Sequence, residues 1–171
     1  MRILKAFFIA AVIVTLLLRP AIAMGPLHPA PRTSLPQGVQ AAVDGTVKAF
    51  NADDASTFAS YFTPDAILTD GFSPYVWNTS NAAANFLHAF EKVTSGLKWL
   101  AKASAITQSS FDSNAGVGYV AVPMHVTFSN ASGGTVESST GIWALTLKRV
   151  SASTWRITTA AWADAGTKLK L

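Results

Sequence analysis

Between residues 50 and 71 the chain reads FNADDASTFASYFTPDAILTDG. Asn51-Ala52-Asp53-Asp54 interrupts an apolar pattern and offers carboxylates to cap a new helix. Ala55, Phe58, Ala59 and Phe62 then recur at helical spacing. Thr63-Pro64 ends that helix, because the residue before a proline is pushed out of the α region. Ala66 to Thr69 is short and apolar enough for a strand, and Asp70-Gly71 is a turn signal. A helix end, a short helix and a strand therefore follow one another with almost no linker.

Upstream, Val39, Val43, Val47 and Phe50 form one apolar stripe and predict a first helix starting near Gln37. Downstream, Thr79 or Ser80 can cap a third helix whose stripe is Ala83, Phe86, Leu87 and Phe90. After Gly96 the period changes from helical to alternating. Trp99–Ser109, Val117–Phe128, Thr135–Lys148 and Trp155–Ala163 are predicted as long antiparallel strands. On the second of these, Val120, Val122, Met124, Val126 and Phe128 share one face, and Tyr119, Ala121, Pro123, His125 and Thr127 the other. Helices first and antiparallel strands after predict an α+β domain.

The ends of the chain carry a different signature. Arg2 and Lys5 precede an uncharged run, Ala6 to Leu18, and Ala21-Ile22-Ala23 supplies small residues at a cleavage position, which predicts a signal peptide over residues 1–23. Thirteen apolar residues rise only about 20 Å as a helix, short of a hydrocarbon core of about 30 Å. The expectation is export to a secreted or periplasmic location, a mature chain beginning near Met24, and no membrane attachment after cleavage. Pro26, Pro29, Pro31 and Pro36 make residues 24–36 an extended tether. The domain proper is expected over 37–165, with a basic tail over 166–171.

Removing residues 1–23 also changes the charge argument. The whole chain holds 13 Lys+Arg against 9 Asp+Glu, a formal +4, but Arg2, Lys5 and Arg19 fall in the removed segment. The formal charge drops to +1, so the basic balance is no argument for a nucleic-acid partner. There is no cysteine, hence neither a disulfide nor a thiol nucleophile. Asn78-Thr79-Ser80 and Asn130-Ala131-Ser132 match the glycosylation sequon, which short loops rich in serine and threonine also produce by chance. His28, His88 and His125 have no ligand spacing, so no metal is expected, and no cofactor motif is present.

The order of these motifs resembles the nuclear-transport-factor-2-like superfamily, with its SnoaL-type polyketide cyclases and ketosteroid isomerases. The residues that carry the resemblance are Phe50–Asp54, Tyr61–Ala66 leading to Asp70, and the strand pair Gly141–Leu145 and Trp155–Ile157. It implies a cone: three helices packed on a bent antiparallel sheet, enclosing an apolar pocket for a small apolar molecule, and homodimers formed through the convex sheet face. It also implies a role for Asp70, since Asp65–Asp70 is similar to the isomerase stretch whose last aspartate is the catalytic base. The isomerases add a tyrosine and a protonated aspartic acid as oxyanion donors. Carried over without gaps, these fall on Thr46 and near Gly141 or Trp143, so both donors are missing.

Two readings of function stay open: a binding module, or an isomerase, cyclase or dehydratase with Asp70 as general base and His125 as a second candidate. Asp70 also suits a plain Asp-Gly turn, and His125 a surface strand position. The expected pocket lining is Thr46, Phe50, Phe72, Tyr75, Trp77, Phe86, Trp143 and Trp162. Phe72, Tyr75 and Trp77 are included because aromatics in a loop after Asp70 suit a pocket mouth.

Overall fold

A computed structural model describes residues 34–169. The predicted signal peptide and almost all of the tether lie outside them. Helix α1 (Val39–Asn51) buries Val39, Val43 and Val47, as the stripe requires, together with Ala42, Thr46 and Ala49. Helix α2 (Ala55–Ser60) is capped by Asp54, whose carboxylate accepts the Thr57 N–H at 2.9 Å. Helix α3 (Ala82–Val93) starts differently from the expectation. Asn81, with φ 64°, occupies the cap position and makes no side-chain bond; Thr79 contributes only its carbonyl, to the Ala82 N–H at 3.0 Å.

The strands are β1 (Phe62–Thr69), β2 (Val76–Trp77), β3 (Lys98–Ala103), β4 (Gln108–Asp112), β5 (Val117–Ser129), β6 (Thr135–Arg149) and β7 (Trp155–Leu169). They form one sheet in the order β2-β1-β7-β6-β5-β3, with β4 also on β5. β1 runs parallel to β7; every other pairing is antiparallel. Two expectations are corrected at the ends. β1 begins at Phe62 rather than Ala66, and β7 continues through Leu169, so residues 166–169 are strand rather than tail.

The strand expected over 99–109 is two strands. β3 pairs with residues 124–129 of β5, β4 with 117–121, and the break falls opposite Pro123. Ser104 N–H still donates to the Pro123 carbonyl at 2.8 Å. Proline has no N–H to return on that side, so the ladder opens there and resumes at Thr107, which donates to Ala121 at 3.0 Å.

Alternation then divides the sheet into two faces. Val120, Val122, Met124, Val126 and Phe128 of β5 are buried with Trp143, Leu145 and Leu147 of β6 and Ile157 and Ala160 of β7. The helices cover this concave side. The opposite side leaves Ile67, Leu100, Tyr119 and Ile142 exposed.

Candidate functional site

Between the helices and the concave face lies a small cleft. It is lined by Val47 and Phe50 of α1, Phe86 of α3, Met124 and Val126 of β5, Trp143 of β6 and Trp162 of β7. Its volume is about 50 Å³ and its walls are apolar. Aromatic side chains fill most of the remaining cone. Phe86 stands 5.0 Å from Trp77 and 5.6 Å from Phe72, while Phe90 stands 4.9 Å from Phe50 and 5.2 Å from Trp99. Ring pairs at such separations add stabilisation beyond the area they bury.

The expected lining residues thus fall into groups. Phe50, Phe86, Trp143 and Trp162 face the cleft. Phe72 and Trp77 back it from behind Phe86 and do not border it. Tyr75, expected at the mouth, is 60 % exposed and sits at φ 69° in the turn before β2. Thr46 is fully buried, and its hydroxyl donates to the Ala42 carbonyl one turn back at 2.6 Å. It is therefore spent within α1 and cannot serve as a donor in the cone.

Asp70 combines its two readings. It starts a turn, with its N–H on the Tyr75 carbonyl at 3.2 Å and its own carboxylate accepting the Gly71 N–H at 2.6 Å. It also belongs to the concave side. Leu68 pairs with Ala160 and Thr69 with Ala161, so Asp70 comes level with Trp162 at the rim of the cleft. Half-burial pushes its pKa above the ordinary 3.8 and a nearby Asp164 charge adds to the rise, against the Gly71 N–H, which lowers it.

His125 is corrected as a partner for Asp70. It pairs with Lys102 and Thr140 and is exposed on the convex side, so the sheet separates the two side chains. His88 is exposed on α3. Among the described residues no three His, Cys, Asp or Glu side chains gather as a metal ion would need.

A rim residue that the sequence did not disclose is Asp164. It is the register partner of Gly141 and lies on the face of Trp162, two residues before it on β7. Its carboxylate accepts bonds from Ser139 Oγ at 2.8 Å, Gly166 N–H at 3.2 Å and Thr167 Oγ1 at 3.0 Å. These bonds, led by that from Ser139, hold its pKa below 3.8. Alternation continued past Ala163 was the signal that could have placed it.

Gly141 makes room for this arrangement. A Cβ there would meet Trp162 Cζ2 at 2.5 Å and the Ala163 carbonyl oxygen at 2.5 Å. The Trp162 indole lies where a side chain at 141 would stand. Gly141→Ala is expected to cost about 1–3 kcal/mol, since a backbone oxygen cannot yield as a flexible side chain does. The indole N–H signal of Trp162 should shift with it; thermal unfolding and NMR spectra like those of wild type would contradict the packing.

A more voluminous hollow lies outside the cone. It is an open crevice of about 590 Å³ at the C-terminal ends of α1 and α3, lined by polar residues that include Asn51, Asp53, Glu91, Lys92 and Lys98. Burial and the Glu91 charge raise the pKa of Asp53, and His88 opposes them. The small apolar cleft, not this crevice, is lined by Trp143 and Trp162, the latter level with Asp70 across the β1–β7 pairing.

No family model and no curated protein matches the sequence. Solved structures do match in fold. A putative scytalone dehydratase from Novosphingobium aromaticivorans aligns with a TM-score of 0.64 at 12 % identity, covering 78 % of this chain and 86 % of that one. ActVI-ORFA from Streptomyces coelicolor gives 0.63 at 13 %, over 74 % and 94 %. A ketosteroid isomerase-like protein from Erwinia carotovora atroseptica gives 0.56 at 17 %, over 75 % and 94 %. Similarity at this level of identity is similarity of fold, and the order of elements, the bent sheet and the concave cleft agree with it: the chain has the nuclear-transport-factor-2-like fold.

Proposed function

We propose that this is an exported small-molecule-binding domain whose cleft takes the apolar end of its ligand. The observation that carries the reading is the lining itself. Seven apolar side chains from α1, α3 and three strands converge on one space beside the rim carboxylate of Asp70. Apolar walls with few placed polar groups are the usual composition of a ligand site. The volume of about 50 Å³ is far below the roughly 300–1,000 Å³ of sites for drug-sized molecules. The ligand is therefore small, or enters with one end while the rest lies over Trp162 at the rim. The signal-peptide pattern of residues 1–23 supports a location outside the cytoplasm. The exposed apolar residues of the convex face support a homodimer.

A second reading, proton transfer by Asp70, is favoured by one observation: burial makes this carboxylate a stronger base than a free one. The names of the similar structures include a dehydratase and an isomerase-like protein. Carboxyl NMR tests this reading, with the Asp70 midpoint expected above 3.8. The sign for stability follows by linkage. A raised folded-state pKa means the ionised form is penalised by folding, so the contribution present below the unfolded value is lost as pH rises through the folded one. Asp70→Asn is therefore expected to be more stable than wild type at pH 7, with the difference vanishing in acid. An Asp70 midpoint at or below 3.8 removes the base. Binding is tested separately, through the indole N–H signals of Trp143 and Trp162 titrated with small aryl and alkyl compounds.

A further inference from the structure

The cone has a second carboxylate at its mouth, delivered from a strand where the resemblance places none. Carried over from the isomerases, a carboxyl group belongs near Gly141 on β6. In this chain that position has no side chain, and the Trp162 indole lies across it. The cross-strand partner of Gly141 is Asp164 on β7. The side-chain alternation that buries Trp143 and turns Trp162 to the cleft puts Ser139, Gly141 and Asp164 on the same concave side. Asp70 reaches that rim from β1, through the parallel pairing of β1 with β7.

The two carboxylates are held differently. Asp164 accepts three bonds and is fixed as an anion. Asp70 accepts one, from its own turn, and keeps its second oxygen for other partners. No basic side chain lines the cleft, and none acts on either carboxylate among the described residues. Among the described residues, anything entering the cleft therefore passes two acceptors and no cation. The adjoining walls are two tryptophans, whose ring faces attract positive charge.

The geometry points to Asp164 as a specificity-determining residue: with Asp70 it selects ligands that carry a protonated amine beside an apolar body, and it excludes those that end in an anion. This inference rests on the proposed binding role of the cleft. Asp164 receives the ammonium N–H as acceptor from the rim, while the apolar body lies over Trp162 with one end in the cleft. An anionic end at the same place would face like charge from both carboxylates.

Three probes with one apolar body separate the cases: 2-phenylethylammonium, 2-phenylethanol and phenylacetate, each titrated into the folded protein and followed by the Trp162 indole N–H signal. The ammonium is expected to bind most tightly and phenylacetate least. In Asp164→Asn the ammonium should lose about two- to fivefold in affinity, the range for a solvent-exposed ion pair, and the preference over phenylacetate should shrink. Asp164→Ser keeps a hydroxyl without the charge and repeats the measurement where the asparagine variant does not fold. Without any ligand, the Asp70 midpoint should also fall in Asp164→Asn, because a neighbouring negative charge is gone. An unchanged ammonium-to-phenylacetate ratio, or an unmoved Asp70 midpoint, overturns the role of Asp164 and leaves the binding reading standing. Tryptophan signals that respond to none of the three probes overturn the binding reading, and the inference with it.

Discussion

Replacing Phe58 by alanine is expected to lower the free energy of unfolding by about 3–5 kcal/mol, the range for deleting a large aromatic from a core that cannot close over the gap. Phe58 is fully buried on α2, a helix of only six residues. Its ring lies 5.0 Å from Phe62, 6.1 Å from Phe50 and 6.1 Å from Phe86. One side chain therefore ties α2 to β1, α1 and α3 at once. Phe50 and Phe86 are held by further rings, Phe90 and Trp99 on one and Phe72 and Trp77 on the other, so they cannot move together into the space. A helix as short as α2 has little stability of its own and depends on this anchor. Against a total of about 5–15 kcal/mol for a domain, the loss is a large fraction. Urea denaturation measures it as a lower midpoint with an unchanged slope. Phe58→Leu keeps more of the volume and should lose much less. A loss below about 1 kcal/mol for the alanine variant would contradict the packing described for the cone.

Asn51→Ala is expected to cost about 2–4 kcal/mol, although the residue is only half-buried. Its amide behaves as a piece of backbone: Nδ2 donates to the Ala101 carbonyl at 2.8 Å and Oδ1 accepts the Ala101 N–H at 2.7 Å. Ala101 is 2 % exposed, so alanine at 51 leaves a buried donor and a buried acceptor without partners. Each such group costs about 1–3 kcal/mol, with the lower part of that range fitting a site that water can partly reach. The pair also joins the end of α1 to edge strand β3, beside the bond from Trp99 Nε1 to the Phe50 carbonyl at 3.0 Å. Loosening it should free one wall of the cone. Amide hydrogen exchange gives the local readout: the Ala101 N–H should exchange far faster in the variant. Asn51→Asp, which keeps only the acceptor, should protect that N–H better than alanine does. An Ala101 amide that exchanges at the wild-type rate in Asn51→Ala would show that this contact does not hold the strand.

The asparagine also shows where sequence reading stops. Asn51 was legible as part of a break between two helices, because helix ends are local events governed by side chains a few residues apart. Its partner Ala101 is fifty residues away, and nothing in either neighbourhood announces the pairing.

What the sequence by itself determined is the set of local facts. Apolar residues at three- to four-residue spacing made α1, α2 and α3 visible, and strict alternation made β5 visible with its two faces sorted, though not which of them is buried. A carboxylate cap from Asp53-Asp54 and the α+β class also came from the sequence pattern, and the structure selected Asp54. The places where these readings failed are places where distant strands intervene. Pro123 splits the facing edge strand because it lacks a donor on that side, and β7 runs on to Leu169 because β6 offers it partners to Glu137. Only the tertiary structure decided the site. His125 and Asp70 were compatible as partners in the sequence, and the sheet puts them on opposite faces. Asp70 and Asp164 are ninety-four positions apart and meet because β1 pairs in parallel with β7, past an irregularity between Phe62 and Ile67 that resets the alternation. A one-residue change of register moves every side chain of a strand to the other face, and that register is fixed by contacts across the whole domain.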